Sequence, residues 1–178
     1  QQMMQNKFVS PTTAGTMEWA KLGILMSLLF FPNGPILIKL LFAVVLSIVG
    51  TFLFVQLINL IRVKDVIFVP LLGIMIGGIL SSFTTFVALR TNALQSIGNW
   101  LTGNFAVITS GRFEVLYLTI PLLILAFVFA NHFTIAGMGK DFSHNLGVSY
   151  EKIIKIALFI TATLTALVVV TVGTLPFL

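Results

Sequence analysis

The chain has 178 residues, 58% of them hydrophobic and 8% charged, with a formal net charge of +5. A soluble domain is about 45–50% apolar and about 25% charged, so ten Lys/Arg and five Asp/Glu cannot keep a surface of this size wet. Soluble globular folds and disorder are excluded, and the absence of Cys excludes disulfides, thiolate metal sites, Fe–S clusters and thiol catalysis. What remains is an all-α, polytopic membrane helix bundle.

A membrane helix needs about 20 mainly apolar residues. The opening Gln1-Gln2-Met3-Met4 has no initiator Met and no signal-peptide pattern. The first expected span is Ala14–Phe31, stopped by Pro32-Asn33-Gly34-Pro35. The second, Ile36–Ile61, ends at Arg62, Lys64 and Asp65, and the third is Val66–Leu89, with Pro70 as a candidate kink. Thr91–Gly111 carries no charge but holds Asn92, Gln95, Ser96, Asn99, Thr102 and Asn104. Unpaired polar groups cost several kcal/mol each in lipid, so this stretch is read as interfacial, with a short outer helix over Asn92–Leu101. Val115–Asn131 is the fourth span, 132–152 a loop, and Ile153–Thr174 the fifth span. The last residues, Leu175–Leu178, prolong an apolar run, so the sequence reads as a segment of a longer chain forming a single transmembrane domain.

Five spans place the two ends on opposite sides. One set of loops holds Lys7, Arg62, Lys64, Lys140, Lys152 and Lys155; the other holds Arg90 and Arg112. The positive-inside rule makes the first set cytoplasmic. Lys21 and Lys39 lie inside spans near their ends and are expected to snorkel to water.

No enzyme chemistry emerges. Gly137-Met138-Gly139-Lys140-Asp141 lacks the spacing and hydroxyl of a phosphate loop. His132 and His144 have no helical pairing with a carboxylate, and Glu18, Asp65, Glu114, Asp141 and Glu151 form no acid–base pair by spacing. No catalytic residue, cofactor, metal site or nucleic-acid contact is expected; lipid is the surrounding medium.

Two stretches stand out. Gly73-Ile-Met-Ile-Gly77-Gly78 followed by Ser81, Ser82, Thr84 and Thr85 gives a small polar helix face. It serves close helix packing, or Ser81 and Thr85, one turn apart, line a water-filled path. In the loop, Gly139 and Gly147 bracket Lys140–Leu146, enough for two helical turns with Phe142 and Leu146 on one side. Such a stripe docks a partner or packs on its own bundle, and the residues alone leave both open.

Three motifs resemble the FecCD-type permeases, membrane subunits of ABC importers for ferric siderophores, haem and cobalamin. Gln1…Asn6-Lys7-Phe8-Val9-Ser10-Pro11-Thr12-Thr13-Ala14-Gly15…Ala20-Lys21-Leu22-Gly23 is similar to their Gln-x₄-Asn-Pro-Leu-Ala-x-Pro-x₃-Gly…Ala-x-Leu-Gly stretch. Gly139…Leu146-Gly147-Val148 resembles their Gly-Glu-Glu-x₄-Leu-Gly-Val loop, and Val172–Leu178 their Gly-x-Ile-Gly-Phe-Ile-Gly-Leu stretch. Departures are Lys7 for the usual Pro, Glu18-Trp19 for a small pair, and Lys140 for the first loop acid, leaving Asp141 at the second. The Asn6–Ala20 string resembles a branch associated with catecholate siderophores such as petrobactin. The resemblance implies a permease of about ten spans in the bacterial cytoplasmic membrane, with this segment at about the third to seventh. It also implies a second permease subunit, cytoplasmic ATPase subunits and an extracellular substrate-binding lipoprotein. The ATPase would dock at Gly139, Lys140, Asp141, Phe142, Leu146 and Gly147. The competing function is an ion-coupled secondary transporter, which relies on ionisable groups deep in the membrane; none lies near an expected midplane here.

Overall fold

The computed structural model describes residues 15–61, 68–101 and 113–174. The motif residues 1–14, the basic loop around Arg62 and Lys64, the polar stretch 102–112 with Arg112, and 175–178 lie outside the described residues. The described chain is helical, with no strand among the described residues: α1 (Thr16–Phe30), α2 (Ile36–Ile61), α3 (Phe68–Arg90), α4 (Leu94–Leu101), a 3-10 turn (Phe113–Leu118), α5 (Thr119–Val128), α6 (Ala130–Gly137), α7 (Lys140–Asn145) and α8 (Tyr150–Thr171).

α2, α3 and α8 are long and apolar enough to cross a membrane, which makes the chain a multi-pass membrane protein. α1 has 15 residues, about 22 Å at 1.5 Å per residue, short of the roughly 30 Å hydrocarbon core. The expected fourth span, Val115–Asn131, is not one straight helix. The 3-10 turn and α5 form one arm and α6 the other, bent by 55° at Phe129. Pro121 sits in the first turn of α5, where its missing N–H costs nothing. Pro70 likewise falls in the first turn of α3, and α3 runs unbroken from Phe68 to Arg90. α3 ends where Asn92 adopts φ 55. The Ala93 amide then bonds the Ala88 carbonyl at 2.9 Å and the Asn92 amide bonds that of Leu89 at 3.3 Å, the double closure of a left-handed helix end. This turn delays the outer helix to Leu94, two residues later than expected.

α1 is the hub. On one side Met17, Ala20 and Ile24 pack with Leu40 and Ala43 of α2 and Ala166, Val169 and Val170 of α8. On the other, Leu22 and Leu25 pack with Ala88 of α3 and Ile97 of α4. Lipid tails are as apolar as Leu, so helices in a bilayer associate through close packing and hydrogen bonds rather than burial from water. Both devices are present. A Cβ on Gly23 would lie 2.6 Å from the Ala43 Cα and 2.6 Å from the Phe42 carbonyl oxygen, and one on Gly50 would overlap the Trp19 indole. The Ser47 hydroxyl of α2 donates to the Ala162 carbonyl of α8 at 3.0 Å, and the Thr16 and Thr51 hydroxyls join α1 to α2 at 3.2 Å.

Lys21 does not snorkel. Its ammonium lies 2.7 Å from the Glu18 carboxylate, and the two side chains are only 13% and 20% exposed. Desolvation at this depth makes a facing carboxylate a better partner than distant water.

The Gly23 contact generates a stability test. Gly23→Ala forces backbone apart and should cost about 1–3 kcal/mol, the usual range for overpacking. Gly78→Ala, where a Cβ would meet nothing within 4 Å, should be neutral or slightly stabilising. Unfolding by SDS titration in mixed micelles measures both; equal stability of the two variants would contradict the close approach.

Candidate functional site

The two stretches singled out in the sequence lie on different elements. On α3, Gly73, Gly77, Thr84 and Ala88 are buried and form its packing stripe. Gly77 faces the Glu18 side chain of α1, whose Cγ would be 3.6 Å from an added Cβ. Ser81 lies beside this stripe, half-buried, and Thr85 is exposed. Gly73, Gly77 and Thr84 thus share the packing side, while Gly78, Ser82 and Thr85 are exposed. The Thr85 hydroxyl donates to the Ser81 carbonyl at 2.8 Å, and that of Ser82 to the Gly78 carbonyl at 2.9 Å. Donation to the helix's own backbone satisfies the proton and leaves the oxygen free to accept.

The second stretch is a compact elbow. α6 runs to Gly137, so the connection between α6 and α8 is shorter than the 132–152 loop expected, and α7 fills its middle. Gly139 enters α7 at φ 112 and Gly147 leaves it at φ 72, a region that costs residues with a Cβ about 1 kcal/mol or more. The Val148 amide bonds the Ser143 carbonyl at 2.9 Å and the Gly147 amide that of His144 at 3.0 Å, which terminates a helix around a left-handed Gly. Nothing lies within 4 Å of a Cβ built on Gly147; the requirement for Gly is conformational, not steric.

Exposure divides α7 into two sides. Phe142 and Leu146 are 53% and 55% exposed, so their stripe is not spent on the chain's own bundle. Ser143 between them is fully buried. Its hydroxyl lies 2.8 Å from the Gly139 carbonyl and 3.2 Å from the Ile135 carbonyl of α6. Asp141 occupies the first turn of α7, where the helix dipole favours an anion. Lys140 reaches across to Glu151 of α8 at 3.4 Å, both well exposed, an arrangement that contributes little to stability. A cleft of about 520 Å³ lies between these residues, lined by Lys140, Asp141, His144 and Lys152. No group of three metal-ligating side chains occurs among the described residues. Sequence reasoning did not single out Ser143. The available signal was a small hydroxyl residue four positions after the entry glycine.

α4 and α7 occupy opposite ends of the bundle. Ile97 of α4 packs beside Leu22 and Leu25, toward the end of α1. Lys155 and Phe159, in the first turns of α8, share a cleft with Thr51 of α2, and Thr51 meets Thr16 at the start of α1. By the positive-inside rule the charge split leads to the expectation that the α7 end is the cytoplasmic one. Single cysteines replacing exposed His144 and Gln95 should then react with an impermeant maleimide from the cytoplasmic side and from the outside, respectively. Labelling of both from one side would refute this placement.

The sequence profile of the FecCD transport family matches residues 1–178. The chain is 52% identical over 178 residues to the petrobactin import system permease protein YclN of Bacillus subtilis, covering 100% of this chain and 56% of that protein. It is 36% identical over 178 residues to the petrobactin import system permease protein FatD of Bacillus anthracis, covering 100% of this chain and 53% of FatD. Against the ferric-anguibactin transport system permease protein FatD of Vibrio anguillarum it is 34% identical over 177 residues, 99% of this chain and 56% of that one. The chain therefore spans about half the length of the curated relatives it matches. A solved structure described as a metal-chelate type ABC transporter in an inward-facing conformation superposes with a TM-score of 0.72 at 19% identity, over 98% of this chain and 56% of that one. At that identity the likeness shows the fold. The match over the whole chain shows that the chain belongs to the FecCD transport family.

Proposed function

We propose that this chain is part of the permease subunit of an ATP-driven importer that carries a ferric siderophore, of catecholate type, across the cytoplasmic membrane. The carrying observation is the unspent Phe142/Leu146 stripe on a glycine-bracketed helix at the basic end of the bundle. An exposed aromatic there, outside the apolar zone, needs a protein partner rather than lipid. The proposed partner is the cytoplasmic ATPase, with α7 seated in its groove. ATP hydrolysis then belongs to that subunit and not to this chain, and a second permease subunit and an extracellular lipoprotein complete the assembly. The siderophore class rests on the 52% identity to a petrobactin import permease. An ion-coupled transporter would need membrane-embedded ionisable groups open to an ion. Of the described ionisable side chains on these helices, Glu18 and Lys21 pair at 2.7 Å and Lys39 lies in the first turn of α2.

Phe142→Ala removes an aromatic anchor. Such anchors contribute about 2 kcal/mol or more at an interface, close to thirtyfold in affinity. Gly147→Val forces a β-branched residue to positive φ and should redirect the chain into α8. Both variants of the full-length permease should reach the membrane and lose co-purification of the ATPase in detergent, while Asp141→Ala, at the rim, should lose much less. Undiminished ATPase recovery with both Phe142→Ala and Gly147→Val would end the docking assignment.

Ser81 and Thr85 are proposed to line the translocation path, since they turn polar oxygen toward the uncovered side of α3. Ser81→Leu and Thr85→Leu should each slow uptake of labelled ferric siderophore severalfold at unchanged membrane abundance. Equal uptake at equal abundance would leave these hydroxyls with a backbone role alone.

A further inference from the structure

Docking at α7 moves substrate only if the motion of α7 reaches the membrane spans, and the structure contains one connection suited to this. The Ser143 side chain is wholly buried in an otherwise exposed short helix. Its hydroxyl reaches back to the Ile135 carbonyl of α6 at 3.2 Å and to the Gly139 carbonyl at 2.8 Å. Its own carbonyl accepts the Val148 amide at 2.9 Å, one residue before the Ser149 cap of α8. A single residue thus ties together the end of α6, the entry to α7 and the approach to α8. The Gly139 bond is redundant, because the Ser143 amide already reaches that carbonyl at 3.1 Å. The hydroxyl has one proton, shared unequally between the two carbonyls, and the longer arm, to Ile135, is the one that joins α7 to α6.

The other end of α6 is a joint. The chain bends by 55° at Phe129, which has φ −88 and ψ 0, outside the regular helical range. Neither Pro nor Gly stands at the bend, and the Phe129 amide still bonds the Leu125 carbonyl at 3.1 Å, so the backbone there changes direction without losing its donor. Beside the bend lies an apolar cleft of about 670 Å³, lined by Phe129 together with Thr51 and Phe52 of α2 and Phe159 of α8. Packed interiors transmit displacement as rigid units between a few discrete arrangements rather than by continuous deformation.

From these observations, and resting on the docking reading above, we infer that Ser143 is a positioning residue for transport. It pins α6 and α7 into one lever that pivots at Phe129 and carries motion of the docked ATPase into the bent span. Ser143→Ala keeps the Cβ and raises helix propensity, so it removes the pin and little else.

The test uses the full-length permease with its ATPase and partner subunits in proteoliposomes. For S143A, ATPase co-purification and ATP hydrolysis should stay within about twofold of wild type, while siderophore taken up per ATP falls at least fivefold. A purely structural role would lower abundance, binding and uptake together. Unchanged uptake per ATP overturns the inference. So does loss of ATPase binding by S143A equal to that of F142A, which would make Ser143 part of the docking surface. If F142A itself keeps the ATPase bound, the docking reading fails first and this inference with it. A second measurement needs no change at Ser143. Spin labels at exposed Thr134 and Asn145 should keep one sharp distance through the nucleotide cycle, while the distance from Asn145 to Phe159 on α8 shifts. A Thr134–Asn145 distance that changes with nucleotide shows α7 moving apart from α6 and overturns the lever.

Discussion

The bundle depends on how closely α1 can approach α2. In a bilayer, burying one more leucine against another helix gains little over leaving it in lipid, so association rests on dispersion between well-matched surfaces and on hydrogen bonds. Gly23 brings the α1 backbone onto Ala43, and Gly50 accepts the flat face of Trp19. These two contacts, four residues apart on α1 and seven on α2, fix both the distance and the tilt of the pair. Everything else is referred to α1: α8 through Ala166 and Val170, α3 and α4 through Ala88 and Ile97. The elbow at α7 is positioned indirectly, because α8 carries it and α8 is held against α1 and by Ser47 of α2.

The Glu18–Lys21 pair belongs to the same hub. Its ions face each other at 2.7 Å, yet the second carboxylate oxygen of Glu18 is buried with no partner among the described residues. A pair of this kind need not add stability over an apolar equivalent, but either member alone would be far worse. Its position against Gly77, on the packing side of α3, separates it from the face that carries Thr85. The charge therefore bears on how α1 and α3 hold together rather than on what passes along α3.

Much of this architecture can be read from residue type. Charge-free apolar runs are long enough to mark α2, α3 and α8, and the short helix expected in the polar stretch after α3 is present as α4. Bracketing glycines mark α7 because positive φ is costly for any other residue. The bend at Phe129 could not be read in this way. Leu116–Gly139 holds no charge, and a bend without Pro or Gly leaves no local signature; it is imposed by packing of α6 on α8 and α7. The Trp19–Gly50 contact and the Ser143 tie to Ile135 were hidden for the same reason. Each joins residues on separate elements, and spacing along one helix says nothing about which small residue meets which ring or carbonyl. Lys21 misled because a lone Lys near a helix end usually extends to water, whereas its partner was one turn away.

Exposure has two meanings in this molecule, and the distinction decides where the site lies. Phe52 of α2, Phe83 and Phe86 of α3, and Phe127 of α5 are as exposed as Phe142 or more so, within a few per cent. Phe52, Phe83 and Phe127 lie in charge-free apolar runs of their helices, and Phe86, near the end of α3, is covered on one face by the Arg90 guanidinium at 5.5 Å; lipid or further transmembrane helices cover rings in such runs at no cost in water structure. Phe142 and Leu146 sit instead among Lys140, Asp141, His144, Glu151 and Lys152, side chains that a hydrocarbon environment would strip of solvent at several kcal/mol each. That neighbourhood places the pair in water, where an open aromatic is favourable to cover. The same fraction of exposed ring is thus unremarkable within the apolar run of α3, while on α7 its cluster of charged neighbours supports the proposed docking role.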